Sequence, residues 1–141
     1  MADRSARHVQ ASNERRLQAF GSFVRDFVRD LNHLAESDWA VLVEGKRDEL
    51  AIRELGYSGD LATITDFARS GRDAFGGSTK VVVLMDLDRE GAILTARFVR
   101  KLSHEGIKSS LAERRRLKFA SRGVFLHIEN LARFAEVDTR I

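Results

Sequence analysis

The sequence predicts an α/β fold: a mostly parallel sheet of roughly four strands flanked by helices, with an added N-terminal helix. Three observations carry this expectation. Short apolar runs alternate along the chain with stretches of helical periodicity, the pattern of βαβ units with right-handed crossovers. One of those runs, Val81 to Met85, is continuous and largely β-branched, as in a strand buried on both faces of a parallel sheet. Glycines stand where helices should stop, at Gly56 and Gly106.

Taken in order, Leu17, Phe20, Val24, Phe27, Leu31 and Leu34 recur at steps of three or four. This stripe predicts a helix over residues 12–36, with Arg15, Arg16, Arg25 and Arg29 off it and Ser12 or Asn13 as cap. Val41 to Val43 reads as a short buried strand ending at Glu44, and Arg47 to Leu55 as a helix stopped by Gly56. Leu61 to Thr65 is a weaker strand, and residues 66–79 read as a Gly/Ser-rich loop with a helical turn near Phe67. After the strand Val81 to Met85, a helix is expected from Glu90 to Glu105, turning Ile93, Leu94, Phe98 and Leu102 inward. Ile107 to Leu111 is the last strand. A basic segment from Glu113 then leads to a helical pattern through Val124, Phe125, Ile128, Leu131 and Phe134. Residues 1–37 are thus an amphipathic helical extension, and residues 38–141 an α/β domain with a basic C-terminal segment.

Composition narrows the function. The 141 residues are 43% hydrophobic and 32% charged, those of a globular protein long enough to bury a core. No apolar run approaches membrane-spanning length and no secretory signal opens the chain, so a cytoplasmic protein without a membrane partner is expected. The absence of cysteine removes disulfides, Cys-bearing zinc sites and thiol nucleophiles. Residues 39–96 carry seven basic and ten acidic side chains, whereas residues 97–122 carry nine basic against Glu105 and Glu113. An acidic middle before a basic stretch suits a metal-binding cleft beside a surface for polyanions.

The strongest chemical signal is Asp86-Leu87-Asp88-Arg89-Glu90-Gly91, directly after the clearest strand. Close carboxylates repel and so favour a divalent cation or a shared proton. Oxygen ligands alone point to a hard ion, Mg²⁺. Gly91 would let the chain turn tightly into the next helix. An EF-hand loop is excluded because Arg97 would occupy the position of its bidentate Glu. A P-loop is excluded because Gly45-Lys46 is followed by Arg47 and lacks the earlier glycine. A haloacid-dehalogenase-like phosphatase shares the strand-Asp-x-Asp pattern and remains an alternative. Against it, Glu90 stands where Thr or Val is wanted, and no adjacent acidic pair follows Asp88.

The second signal is Val41-Leu42-Val43-Glu44-Gly45-Lys46-Arg47-Asp48. With the Asp86–Gly91 string some forty residues later, it resembles the Toprim domain of type IA topoisomerases, bacterial-type primases and small maturation nucleases. The resemblance covers residues 39–111, and the general layout is similar to small single-domain archaeal Toprim proteins. It implies Glu44 as acid/base or metal ligand, Asp86 and Asp88 as Mg²⁺ ligands, and Glu90 as the third acid of the topoisomerase string. Ala92 departs from that string, where topoisomerases often carry Glu. The only tyrosine, Tyr57, sits in a turn and is no cleavage nucleophile, so the chain is not by itself a topoisomerase.

Lys46, Arg47 and Arg89 are placed to meet phosphate oxygens, and Arg114, Arg115, Arg116, Lys118 and Arg122 to track a nucleic-acid backbone. Each is also readable as a solvated helix residue, although Arg89 lies between the acids, which favours the functional reading. His8, His33, His104 and His127 show no metal-ligand spacing and read as surface or half-buried residues. The expected function is Mg²⁺-dependent chemistry on nucleic-acid phosphodiesters, RNA or DNA, above all cleavage. The alternative is a non-catalytic nucleic-acid-binding adaptor docked to protein partners in a larger processing complex.

Overall fold

A computed structural model describes residues 3–121 and 127–133. The elements are α1 (Asp3–Glu36), β1 (Trp39–Val43), α2 (Lys46–Glu54), β2 (Leu61–Thr63), α3 (Ile64–Ser70), β3 (Lys80–Val83), α4 (Arg89–His104), β4 (Lys108–Ser110) and α5 (Ala112–Ser121). Two 3₁₀ turns, Gly71–Phe75 and Ile128–Asn130, complete them. The strands form one parallel sheet in the order β2-β1-β3-β4, in keeping with the alternation of apolar runs and helical stretches.

Strand side chains alternate between faces, and this divides the core in two. Val41, Val43, Val82 and Leu84 join Val24, Phe27 and Leu31 of α1, Ile52 of α2, Leu117 of α5 and Ile128 on one face. Ala40, Leu42, Val81, Val83 and Met85 join Phe67 of α3, Phe75, and Phe98 and Leu102 of α4 on the other. The sheet is therefore covered on both sides, which explains why its central strands carry unbroken apolar runs.

Several elements differ from the sequence reading. The first helix starts at Asp3, so Ser12 and Asn13 lie inside it and cap nothing; residues 9–16 are exposed. β2 stops at Thr63, because Thr63 Oγ1 accepts the Asp66 N–H at 3.1 Å while Asp66 Oδ2 accepts the Thr63 N–H at 2.9 Å. This reciprocal cap draws Ile64 and Thr65 out of the strand and into α3, which extends through part of the expected loop. Ile93 is 52% exposed, and Thr95 takes the inward position on α4. Val124, Phe125, Phe134 and Arg122 lie outside the described residues. No helix among the described residues is long and apolar enough to cross a membrane.

Candidate functional site

The strand order opens a crevice at one place. From β1 the chain passes to α2 on one face of the sheet, and from the neighbouring β3 it passes to α4 on the other. Such a divergence over the carboxyl ends of adjacent strands is where open α/β sheets bind ligands. Glu44 immediately follows β1. Asp86 follows Leu84 and Met85, which carry the chain beyond β3, with the Leu84 N–H bonded to the Leu42 carbonyl at 2.8 Å.

Four carboxylates line this edge, and each accepts a backbone N–H. Glu44 Oε1 takes the Asp86 N–H at 2.9 Å, and Asp48 Oδ2 takes the Gly45 N–H at 3.0 Å. Asp88 caps α4 by accepting the Gly91 N–H on Oδ1 at 2.7 Å. Asp86 accepts the Ile128 N–H on Oδ1 at 2.7 Å. The Ile128 donor is fixed from below, since Ile128 and Leu131 are both fully buried. Gly91 is required by packing: a Cβ there would stand 1.8 Å from the Asp86 carbonyl oxygen.

The tethered oxygens leave Oδ2 of both aspartates facing His127. Its Nδ1 lies 3.3 Å from Asp86 Oδ2 and 3.9 Å from Asp88 Oδ2. Donor atoms of Asp86, Asp88 and His127 all fall within 4.8 Å of one another. Two carboxylates and an imidazole in that span fit a divalent cation.

The charge of the edge is visible in its proton affinities. Burial raises the Glu44 carboxyl above the ordinary range; the Asp86 N–H opposes this, while the charges of Asp86, Asp48 and Asp88 add to it. Asp48 is raised by the same kind of burial, against its bond from Gly45. His127 is raised chiefly by its hydrogen bond to Asp86. Arg114 sits beneath the edge, nearly buried, donating from Nε to the Met85 carbonyl at 3.3 Å and from an Nη to the Asp86 carbonyl at 2.8 Å. Burial lowers its proton affinity, and the charges of Asp88, Glu44 and Asp86 push it back up.

No family model matches the chain. A UPF0292 protein of Pyrococcus abyssi is 31% identical over 102 residues, covering 72% of this chain and 77% of that protein. The chain belongs to the UPF0292 family. A UPF0292 protein of Methanosarcina acetivorans is 30% identical over 111 residues, 77% of this chain and 76% of its own length. Another, from Archaeoglobus fulgidus, is 28% identical and covers 77% of this chain and 86% of that one. A solved structure of an Aquifex aeolicus protein matches with a TM-score of 0.61 at 23% identity, over 74% of this chain and 94% of that chain, which supports the α/β fold.

Within this UPF0292 chain, the residues singled out from sequence separate into groups. Glu44, Asp86 and Asp88 come together, but Glu44 stands beside the three-residue donor set and not in it. Glu90 is exposed on the first turn of α4 and is outside that set, contrary to its expected ligand role. Lys46 is exposed, 3.6 Å from Glu49. Arg47 lines a groove of about 320 Å³ with Leu50, Glu54, Glu129 and Arg133, between α2 and the second 3₁₀ turn. Arg89, Arg115 and Lys118 are exposed.

Two arginines expected to track a polyanion do otherwise. Arg114 is turned inward, because positions 114, 117 and 121 share the buried face of α5. Arg116 pairs with Asp30 at 3.1 Å and lies over the rings of Phe23 and Phe27, fastening α5 to α1. His127, read as a scattered surface histidine, is the residue that sequence reasoning missed. It stands 41 residues beyond Asp86 and meets it beside the buried Ile128, whose N–H donates to the same carboxylate.

Proposed function

We propose that this protein is a divalent-metal-dependent enzyme of the Toprim kind, which cleaves phosphodiester bonds in RNA or DNA. The observation that carries the reading is the meeting of Glu44 with Asp86 across two adjacent strand ends, joined by the 2.9 Å bond. That is the arrangement the resemblance to Toprim domains implies for a strand-ending Glu-Gly and a strand-ending Asp-x-Asp. A cytoplasmic location goes with it.

Asp86 and Asp88 are the ion-holding pair, each with one oxygen oriented by a backbone N–H and the other left toward the crevice. A divalent ion held by them would supply Lewis-acid polarisation of a phosphoryl oxygen and would offset the charge that develops there. Glu44, with its raised proton affinity, gives or takes the proton at the reacting oxygen. Arg114 grips the Met85 and Asp86 carbonyls and so holds the bend that presents Asp88. Lys46, Arg89, Arg115 and Lys118 are exposed and supply sequence-independent attraction to phosphates.

The test is a cleavage assay on single- and double-stranded RNA and DNA, with and without divalent metal, using wild type and Glu44→Gln. The reading expects metal-dependent cleavage that falls by roughly 10²–10⁴-fold in the variant, the scale of losing a general acid or base. Nucleic-acid binding should persist. Binding without any metal-dependent turnover in the wild type would assign the protein to the adaptor role instead.

A further inference from the structure

We infer that His127 is a direct metal ligand, and that it tilts the site from Mg²⁺ toward first-row ions that accept nitrogen, with Mn²⁺ the natural probe. The inference rests on the proposed function only in needing an ion on Asp86 and Asp88. It departs from the all-oxygen site that the motif alone suggests.

The geometry is that of ligands around one centre. Two atoms each about 2.1 Å from an ion stand about 3.0 Å apart at right angles and about 4.2 Å apart when opposite. The separations of His127 Nδ1 from Asp86 Oδ2, 3.3 Å, and from Asp88 Oδ2, 3.9 Å, lie between these limits. Both aspartates are tied through Oδ1, by Ile128 and Gly91, so the converging atoms are the ones not already bonded to backbone. The backbone at His127 is itself held, since the next residue donates to Asp86 and buries its side chain completely. The imidazole, half exposed, therefore starts from a fixed main chain. A hard ion such as Mg²⁺ prefers oxygen ligands and waters, whereas an imidazole nitrogen strengthens binding of first-row transition ions.

The experiment uses the intact protein. Mn²⁺ and Mg²⁺ affinities are measured calorimetrically for wild type, His127→Ala and Asp86→Asn, and the Mn²⁺-loaded proteins are examined by pulsed EPR. We expect a ¹⁴N coupling to Mn²⁺ in the wild type that is absent in His127→Ala. We also expect about a tenfold or greater loss of Mn²⁺ affinity in that variant, in the range seen when a group supporting a metal site is removed, with Mg²⁺ affinity changed far less. Mn²⁺ bound through Asp86 without nitrogen coupling, or equal losses for both ions, would overturn the inference and leave the proposed function standing. If neither ion binds the wild type, or both survive Asp86→Asn, the proposed function falls and the inference with it.

Discussion

The two ends of the same four strands use polar groups in opposite ways. At the amino end, Lys80 Nζ donates to the Ser37 carbonyl at 2.5 Å and lies 5.5 Å from the Trp39 ring centre. Ser78 Oγ bonds the Asp38 and Lys80 carbonyls, and Tyr57 donates its hydroxyl to the Asp60 carbonyl at 3.0 Å. These contacts tie the connecting segments to one another and to the starts of the strands, and none sets like charges together. At the carboxyl end four carboxylates share one crevice, each oriented by a backbone N–H, over a nearly buried arginine. The first arrangement stabilises the fold. The second holds like charges close, which costs free energy that Arg114 offsets only in part, as the raised proton affinity of Glu44 reflects.

The largest structural effect should come from the tight approach that orients Asp88. Gly91→Ala places a methyl group 1.8 Å from the Asp86 carbonyl oxygen, a contact only backbone movement can relieve. Denaturant unfolding should show a loss of about 1–3 kcal/mol or more, the scale of overpacking a well-packed site. An unchanged midpoint would mean that the start of α4 is loosely placed and the carboxyl edge is not preorganised.

A smaller, paired effect compares how each end responds to pH. Glu44 has a folded-state proton affinity above its unfolded one, because it is buried among negative charges. Its contribution to stability is therefore full below its ordinary carboxylate range and lost as pH rises through the folded value. In chelator, Glu44→Gln should match wild type near the acid end and become the more stable protein by pH 7. Tyr57, 2% exposed, is pushed up to about 12 by burial, so the stability it brings is present below pH 10 and lost between pH 10 and about 12. Tyr57→Phe should remove that alkaline decline, on the order of 2 kcal/mol, and lower neutral-pH stability by about 0.5–1.5 kcal/mol through loss of the bond to Asp60. Should Glu44→Gln be less stable than wild type at pH 7, the acids would be stabilising without metal and the contrast between the two ends would fail.

Much of this architecture is legible in the amino-acid sequence, and the reasons are local. Val81 to Met85 announces a strand because burial on both faces demands apolar side chains in both directions, and the place of the acids after it follows from strand direction. The two strand ends adjoin because β1 and β3 are neighbours in the sheet. What escapes a sequence reading depends on competition or on distance. The apolar and β-branched run from Leu61 to Thr65 looks like a strand, yet the reciprocal Thr63–Asp66 cap claims its end for a helix, a signal present in the spacing. The three arginines look alike as a run; helical periodicity, with Leu117 and Ser121 inward, separates Arg114 from its neighbours. His127 carries no local signal, since its position depends on two buried residues that follow it.

The most direct measurement is thermal unfolding of wild type and Asp86→Asn in chelator and in millimolar Mg²⁺ or Mn²⁺. An ion that binds only the folded state stabilises it in proportion to RT ln(1 + [M]/Kd). The account predicts that the wild-type midpoint rises with metal concentration and that Asp86→Asn, which loses a charge between His127 and Asp88, does not respond. Identical metal responses in the two proteins would contradict it.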